Sequence, residues 1–230
     1  MTMSRRQTLA WMATAFAAIP AVPQAARAAA PFPAGLNPQL AWPNIELPVN
    51  TAAGYGTDPD TMNPKVPWSL TLNAQQRATL NLIGNIVLPP DAEGPGAGDI
   101  DIAAFIDEWI SAPYDGQKAD RRRVINGLSW LDAQSLFLCG KPFVEADGKS
   151  RAVLIDALML DPVPAHLGEA SDFFGRLRGL IVGGYYTTPQ GKAAIGYQGN
   201  TPMTDYPGPS EEALAHLRQL LKELNLPVTV

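Results

Sequence analysis

Apolar residues recur along this chain at helical spacing, and proline or glycine closes each run. That pattern leaves little room for any fold but a helical one. The clearest run is Ile102, Phe105, Ile106, Trp109 and Ile110, the i, i+3, i+4, i+7, i+8 set of a core-facing helix, with Asp99 or Asp101 placed to cap it. Before it, Asn73 is an N-cap with Gln76 in capping-box position, and Leu80, Ile83 and Val87 make one face that Pro89 and Pro90 end. A longer helix is expected over Gln117 to Leu138, its stripe made by Val124, Leu128, Leu131 and Leu138, with Gly140 as the residue just past its end. Ser150 to Leu160 reads as a fourth. Glu169 to Tyr186 is a fifth, turning Phe173, Leu177, Leu180 and Ile181 inward. Ser210 caps a last amphipathic helix through Leu214, Leu217, Leu221 and Leu224. No segment alternates convincingly as a strand does. The expected fold is all-α, a compact bundle of about five to six helices over residues 71–226.

Residues 31–70 cannot join that bundle as helix, because proline stands at 31, 33, 38, 43, 48, 59, 64 and 67. Extended backbone follows, and Trp42 and Trp68 spread along it are apolar anchors for an arm lying in a groove, on its own domain or on a neighbour. Residues 1–30 read as an export signal. Arg5 and Arg6 precede an apolar run from Leu9 to Val22, which is too short and too interrupted by Pro20 to span a bilayer, and small residues around Ala28 and Ala30 offer cleavage sites. The stretch from Ser4 to Leu9 fits the twin-arginine type, whose route carries folded cargo, so a periplasmic location is expected.

The formal charge is −5, and cleavage would remove three arginines and no acid, so the mature surface is more acidic still. Such a balance argues against nucleic acid or anionic lipid as the main partner. Cys139 is the single cysteine, which excludes an internal disulfide and a thiolate metal cluster.

The residues that could carry chemistry fall short of the patterns chemistry needs. Glycines 94, 96 and 98 follow a helix and two prolines rather than a strand, so they position the next helix rather than cradle phosphate. His166 and His216 are far apart, and Asp91, Glu93, Asp99 and Asp101 lack the spacing of a calcium loop. Ser129 lies inside a helix, not on a nucleophile elbow. Cys139 lies near Lys141 but has no histidine close in sequence. Asp107 and Glu108 could form an acid–base pair but read more simply as solvated helix-face carboxylates. No catalytic, cofactor or metal residue is assigned.

What stands out instead is a stretch without charge. Between Arg178 and Asp205 the only charged side chain is Lys192, and residues 183–202 hold Tyr185, Tyr186 and Tyr197 among five glycines. Charge depletion with tyrosine enrichment marks a core or an interface centre, so this segment is expected to lie under its own domain or a partner subunit. Gly175, Gly179 and Gly183 share one helix face, which suggests close approach by another backbone.

Five pieces carry a family resemblance: SRRQTL, LTLNAQQRATLNLIGNIVLPP, PGAGDIDIAAFID, GLSWLDAQS and FFGRLRGLIVGGYYTTPQGKAAIGYQGNTP. In this order the chain resembles the gluconate 2-dehydrogenase subunit 3 family, the small subunits of periplasmic flavin-dependent sugar dehydrogenases. The resemblance implies a non-catalytic escort that binds a GMC-type catalytic subunit holding FAD and carries it through the twin-arginine route. It also implies a cytochrome c subunit holding haem as electron acceptor, with membrane association only through partners. Arg5 and Arg6 then match the export motif, and Tyr185, Tyr186, Gly191, Gly196, Tyr197 and Gly199 match the signature block as structural or interface residues, with Trp42 and Trp68 as arm anchors. The long arm departs from shorter members, so a glucoside 3-dehydrogenase type of complex is as compatible as a gluconate one. Two other readings come from different classes: a stand-alone enzyme using scattered carboxylates, and a periplasmic sugar-binding module with a pocket floored by the tyrosines.

Overall fold

A computed structural model of the chain describes residues 33–48, 62, 65–92, 94–199, 202, 204–205 and 207–227. The proposed signal with Arg5 and Arg6, and residues 49–61 of the arm, lie outside the described residues. Those described form seven α-helices and no strand. They are α1 (Ala74–Val87), α2 (Ile102–Ser111), α3 (Asp115–Cys139), α4 (Gly148–Leu158), α5 (Gly168–Thr187), α6 (Pro189–Ala194) and α7 (Glu211–Glu223). Short 3₁₀ turns at Phe143–Glu145 and Ala165–Leu167 precede α4 and α5. The chain divides after Ile195 into two units.

The first unit is the body. Ile83 of α1, Ile106 and Ile110 of α2, Leu131 of α3, Leu154 and Leu158 of α4, and Phe173, Leu177 and Ile181 of α5 are all sealed from solvent in one core. Burying an aliphatic side chain of that size stabilises the fold by about 1.5–3 kcal/mol each, so these positions hold the helices in place. α2 is the centre, packing on α1, α3 and α5, while α3 also takes α4 and α5.

The sequence expectations meet the structure in detail. The Asn73–Gln76 capping box forms reciprocally, with both hydrogen bonds made. Gly140 ends α3 at φ 72°, the left-handed conformation that an L side chain resists. Three expectations need correction. Asp101 stands at the N-cap of α2 but makes no side-chain cap, because its backbone is itself left-handed (φ 56°) and its carboxylate is taken by Arg77 and Asn81. Asn81 of α1 supplies the cap instead, accepting from Ala103 N at 2.9 Å. The close approach expected at Gly175, Gly179 and Gly183 is absent among the described residues: a methyl group at any of them would meet open space. And the solvated reading of Asp107 fails, since that residue is 1% exposed.

α6 is a helix the periodicity did not show. Thr188 caps it by accepting from Gly191 N at 3.1 Å, and Pro189 at its first position is pre-set for helical backbone. In the second unit, Ser210 caps α7 as expected, through Ala213 N. No described helix is long and apolar enough to cross a membrane.

Candidate functional site

Of the acids that sequence reading considered for chemistry, Asp99, Asp101 and Asp107 are fastened into the structure. Asp107 Oδ1 accepts from Thr71 N at 2.9 Å, Leu72 N at 3.0 Å and Ser111 Oγ at 3.2 Å, while Arg77 Nη1 reaches Oδ2 at 3.3 Å. One carboxylate thus pins the chain entering α1 onto α2. Asp120 does the same between α2, α3 and α5. Arg176 grips it with two bonds, Nε to Oδ1 at 2.8 Å and Nη2 to Oδ2 at 2.5 Å, and Trp109 Nε1 donates to Oδ2 at 2.8 Å. Burial opposes the ionisation of Asp120, but the hydrogen bonds from Arg176 and Trp109 and the charges of Arg176 and Arg123 outweigh it and hold its carboxyl below the usual range. Asp132 accepts from Gln75 Nε2 and from Phe143 N, joining α1, α3 and the turn after it.

The glycine linker before α2 is a positioning device, as expected. Asn85 takes Gly98 N at 2.7 Å and gives to Asp99 at 2.8 Å, and Asp99 in turn accepts from Gly96 N. A side chain at Gly98 would collide with the backbone carbonyl of Asn81, so only glycine lets the linker lie this close to α1. Among the described residues no group of His, Cys, Asp and Glu is arranged to hold a metal ion.

The residues singled out at sequence level separate into two environments. Tyr185 is 5% exposed and donates to Pro95 O at 2.7 Å, tying the end of α5 to the linker. Burial, then the Asp91 carboxylate and the neighbouring Tyr186, push its phenol above the usual range, so it stays a donor. Tyr186, half-buried, meets the Tyr185 ring edge-on at 5.2 Å. Gly191 is buried where any side chain would strike the Tyr185 carbonyl, which lets α6 fold back against the end of α5. These three belong to the body. Gly196, Tyr197 and Gly199 begin the second unit and are exposed, Tyr197 by 60%. The uncharged stretch is therefore not uniformly covered: Gly184, Tyr185 and Gly191 are buried, while Gly196, Tyr197 and Gly199 are exposed.

The arm anchors that are described both touch this chain's own body. Trp42 lies against Trp130 and Phe173, with ring centroids 6.2 and 6.3 Å apart. Trp68 donates from Nε1 to Glu108 O at 3.1 Å and meets Tyr114 edge-on. On either side of Trp42, Gln134 and Asn126 hold the arm backbone, accepting from Asn37 N at 2.7 Å and Ile45 N at 3.1 Å. Sequence reading missed these two polar grips because both residues lie inside α3, where an amide is normally turned to water. Their burial, at 0% and 3% exposure, is the consequence of the arm covering them.

Across residues 74–208, from the first turn of α1 to just short of α7, the chain matches the family model described as gluconate 2-dehydrogenase subunit 3. The chain belongs to that family. No curated protein and no solved structure gives a significant match. The family match begins after the arm, so Trp42 and Trp68 lie outside it. It takes in the whole linker, the Asp107 and Asp120 junctions, the Tyr185 anchor and Gly196, Tyr197 and Gly199.

Proposed function

We propose that the chain is the non-catalytic small subunit of a periplasmic, membrane-associated dehydrogenase that oxidises a sugar or sugar acid, of the gluconate 2-dehydrogenase or glucoside 3-dehydrogenase type. Its catalytic partner is a GMC-type flavoprotein holding FAD, and a cytochrome c subunit accepts the electrons. The family match over residues 74–208 carries this reading. Support comes also from how three carboxylates are used: Asp107, Asp120 and Asp132 are each held by donors of this same chain, a structural use. Exposed Tyr197, flanked by Gly196 and Gly199, is an aromatic side chain available for partner contact.

Arg5 and Arg6 give the second half of the proposal, export of the flavoprotein in complex with this subunit through the twin-arginine route. Replacing Arg5→Lys together with Arg6→Lys is expected to leave both this subunit and its flavoprotein in the cytoplasm, read by fractionation and flavin content. Flavoprotein reaching the periplasm in that double variant overturns the escort role.

A further inference from the structure

Arg121 is a buried charge that the described residues leave poorly answered. The residue is 5% exposed, yet no carboxylate among the described residues lies within ion-pair distance of it. Its Nη2 donates to Pro48 O at 3.2 Å, and its buried Nε finds no acceptor. The contrast with the preceding residue is direct, since the Asp120 carboxylate is held by Arg176, Trp109 and Arg123. A desolvated charge is tolerated when it is paired and its hydrogen bonds are met, and costly otherwise. Its neighbours add charge of the same sign. Lys118 and Arg122 line one cleft of about 490 Å³ with Arg121, and residues 44–47 of the arm form the other wall. The only acid in the described lining is Glu46, which is exposed, while Lys118 lies 3.3 Å from Asp115.

We propose that this cleft binds a small organic carboxylate, its anionic group taking the Arg121 guanidinium N–H groups that Pro48 leaves unmet. A planar guanidinium presents paired donors that match the two oxygens of a carboxylate. Phosphate sites, by contrast, gather several backbone N–H groups, and here Ile45 N is already given to Asn126. The volume is that of a site for an organic molecule rather than a bare ion. Asn44 and Glu46 supply an amide and an acceptor on the arm wall for hydroxyls of the ligand, and Lys118 and Arg122 keep the mouth cationic. The inference concerns this chain alone and does not rest on the subunit reading.

The test is calorimetry on the full chain at low ionic strength with gluconate, succinate, inorganic phosphate and glucose. At least one of the two organic acids is expected to bind with a dissociation constant of about 1 mM or tighter, and glucose, which lacks the carboxylate, is not. Arg121→Gln is expected to weaken that binding at least about tenfold. No binding of either acid, equal binding of glucose, phosphate binding as well as the better acid, or unchanged affinity in Arg121→Gln overturns the proposal. Should Arg121→Gln fail to fold, the pair Lys118→Gln and Arg122→Gln, at more exposed positions, takes its place. That pair is expected to weaken binding about threefold or more, and unchanged affinity contradicts the site.

Discussion

Asp120 contributes to the pH behaviour of the body at the scale of a single residue. Its folded-state carboxyl titrates below the ordinary aspartate range, so the unfolded chain takes up its proton at a higher pH than the folded one. The stabilisation is therefore fully present above the unfolded-state value, near 4, and is lost as pH falls through the folded-state value. Asp120→Asn is expected to lower the urea midpoint at neutral pH and to flatten its fall below about pH 4. A variant that keeps the wild-type pH slope would place the acid sensitivity elsewhere. This residue was legible as part of α3 but not as a junction, because its partners Trp109 and Arg176 lie on other helices and only the fold brings them together. Asp107 was misjudged for the same reason. On a helix surface a carboxylate reads as solvated, and nothing local announces that Thr71 and Leu72 will deliver their backbone N–H groups to it.

Helices were the most legible level. Apolar spacing and capping residues gave six of the seven, with ends displaced by one or two residues: α3 runs Asp115–Cys139 where Gln117–Leu138 was expected, and α4 runs Gly148–Leu158, capped by Asp147, where Ser150–Leu160 was expected. α6 escaped because six residues are too few to display a period, although the Thr188-Pro189 pair at its start is a helix signal. Glycine was the least legible residue type. Periodicity pointed to Gly175, Gly179 and Gly183, while tight contacts on the helices fall instead on residues such as Gly127, against the Phe173 ring, and Gly184, against the Phe105 ring. Glycines on the outer face of α5 meet nothing among the described residues, so Gly179→Ala is expected to raise the stability of the isolated subunit by up to about 1 kcal/mol through helix propensity. Gly127→Ala, whose methyl group would strike Phe173, is expected to lower it by about 1–3 kcal/mol, both read from denaturant midpoints. Equal effects would mean that the two helix faces are not distinguished by packing.

At the scale of the whole molecule, the body is a helical frame whose buried polar groups are used to join its own parts. Asp107 fixes the entry to α1, Asp120 joins α2 to α5, Tyr185 fastens the α5 end to the linker, and Asn126 and Gln134 hold the arm. The all-helical class was legible because no segment alternates, and the family was legible because five sequence blocks appear in order. The path of the arm was not, since an extended segment with two tryptophans suits a groove on either molecule. Only the Trp42 contact with Trp130 and the Trp68 bond to Glu108 O place those anchors on this chain. The central claim is that this frame serves a flavoprotein rather than catalysing on its own. It is tested most directly by co-expressing a tagged copy with the proposed GMC-type flavoprotein partner and following flavin absorbance through affinity and size-exclusion steps. The account expects flavin to co-elute with the tagged chain in a complex and to be missing from the chain expressed alone. A chain that elutes without the flavoprotein, or that binds flavin and oxidises sugar by itself, contradicts it.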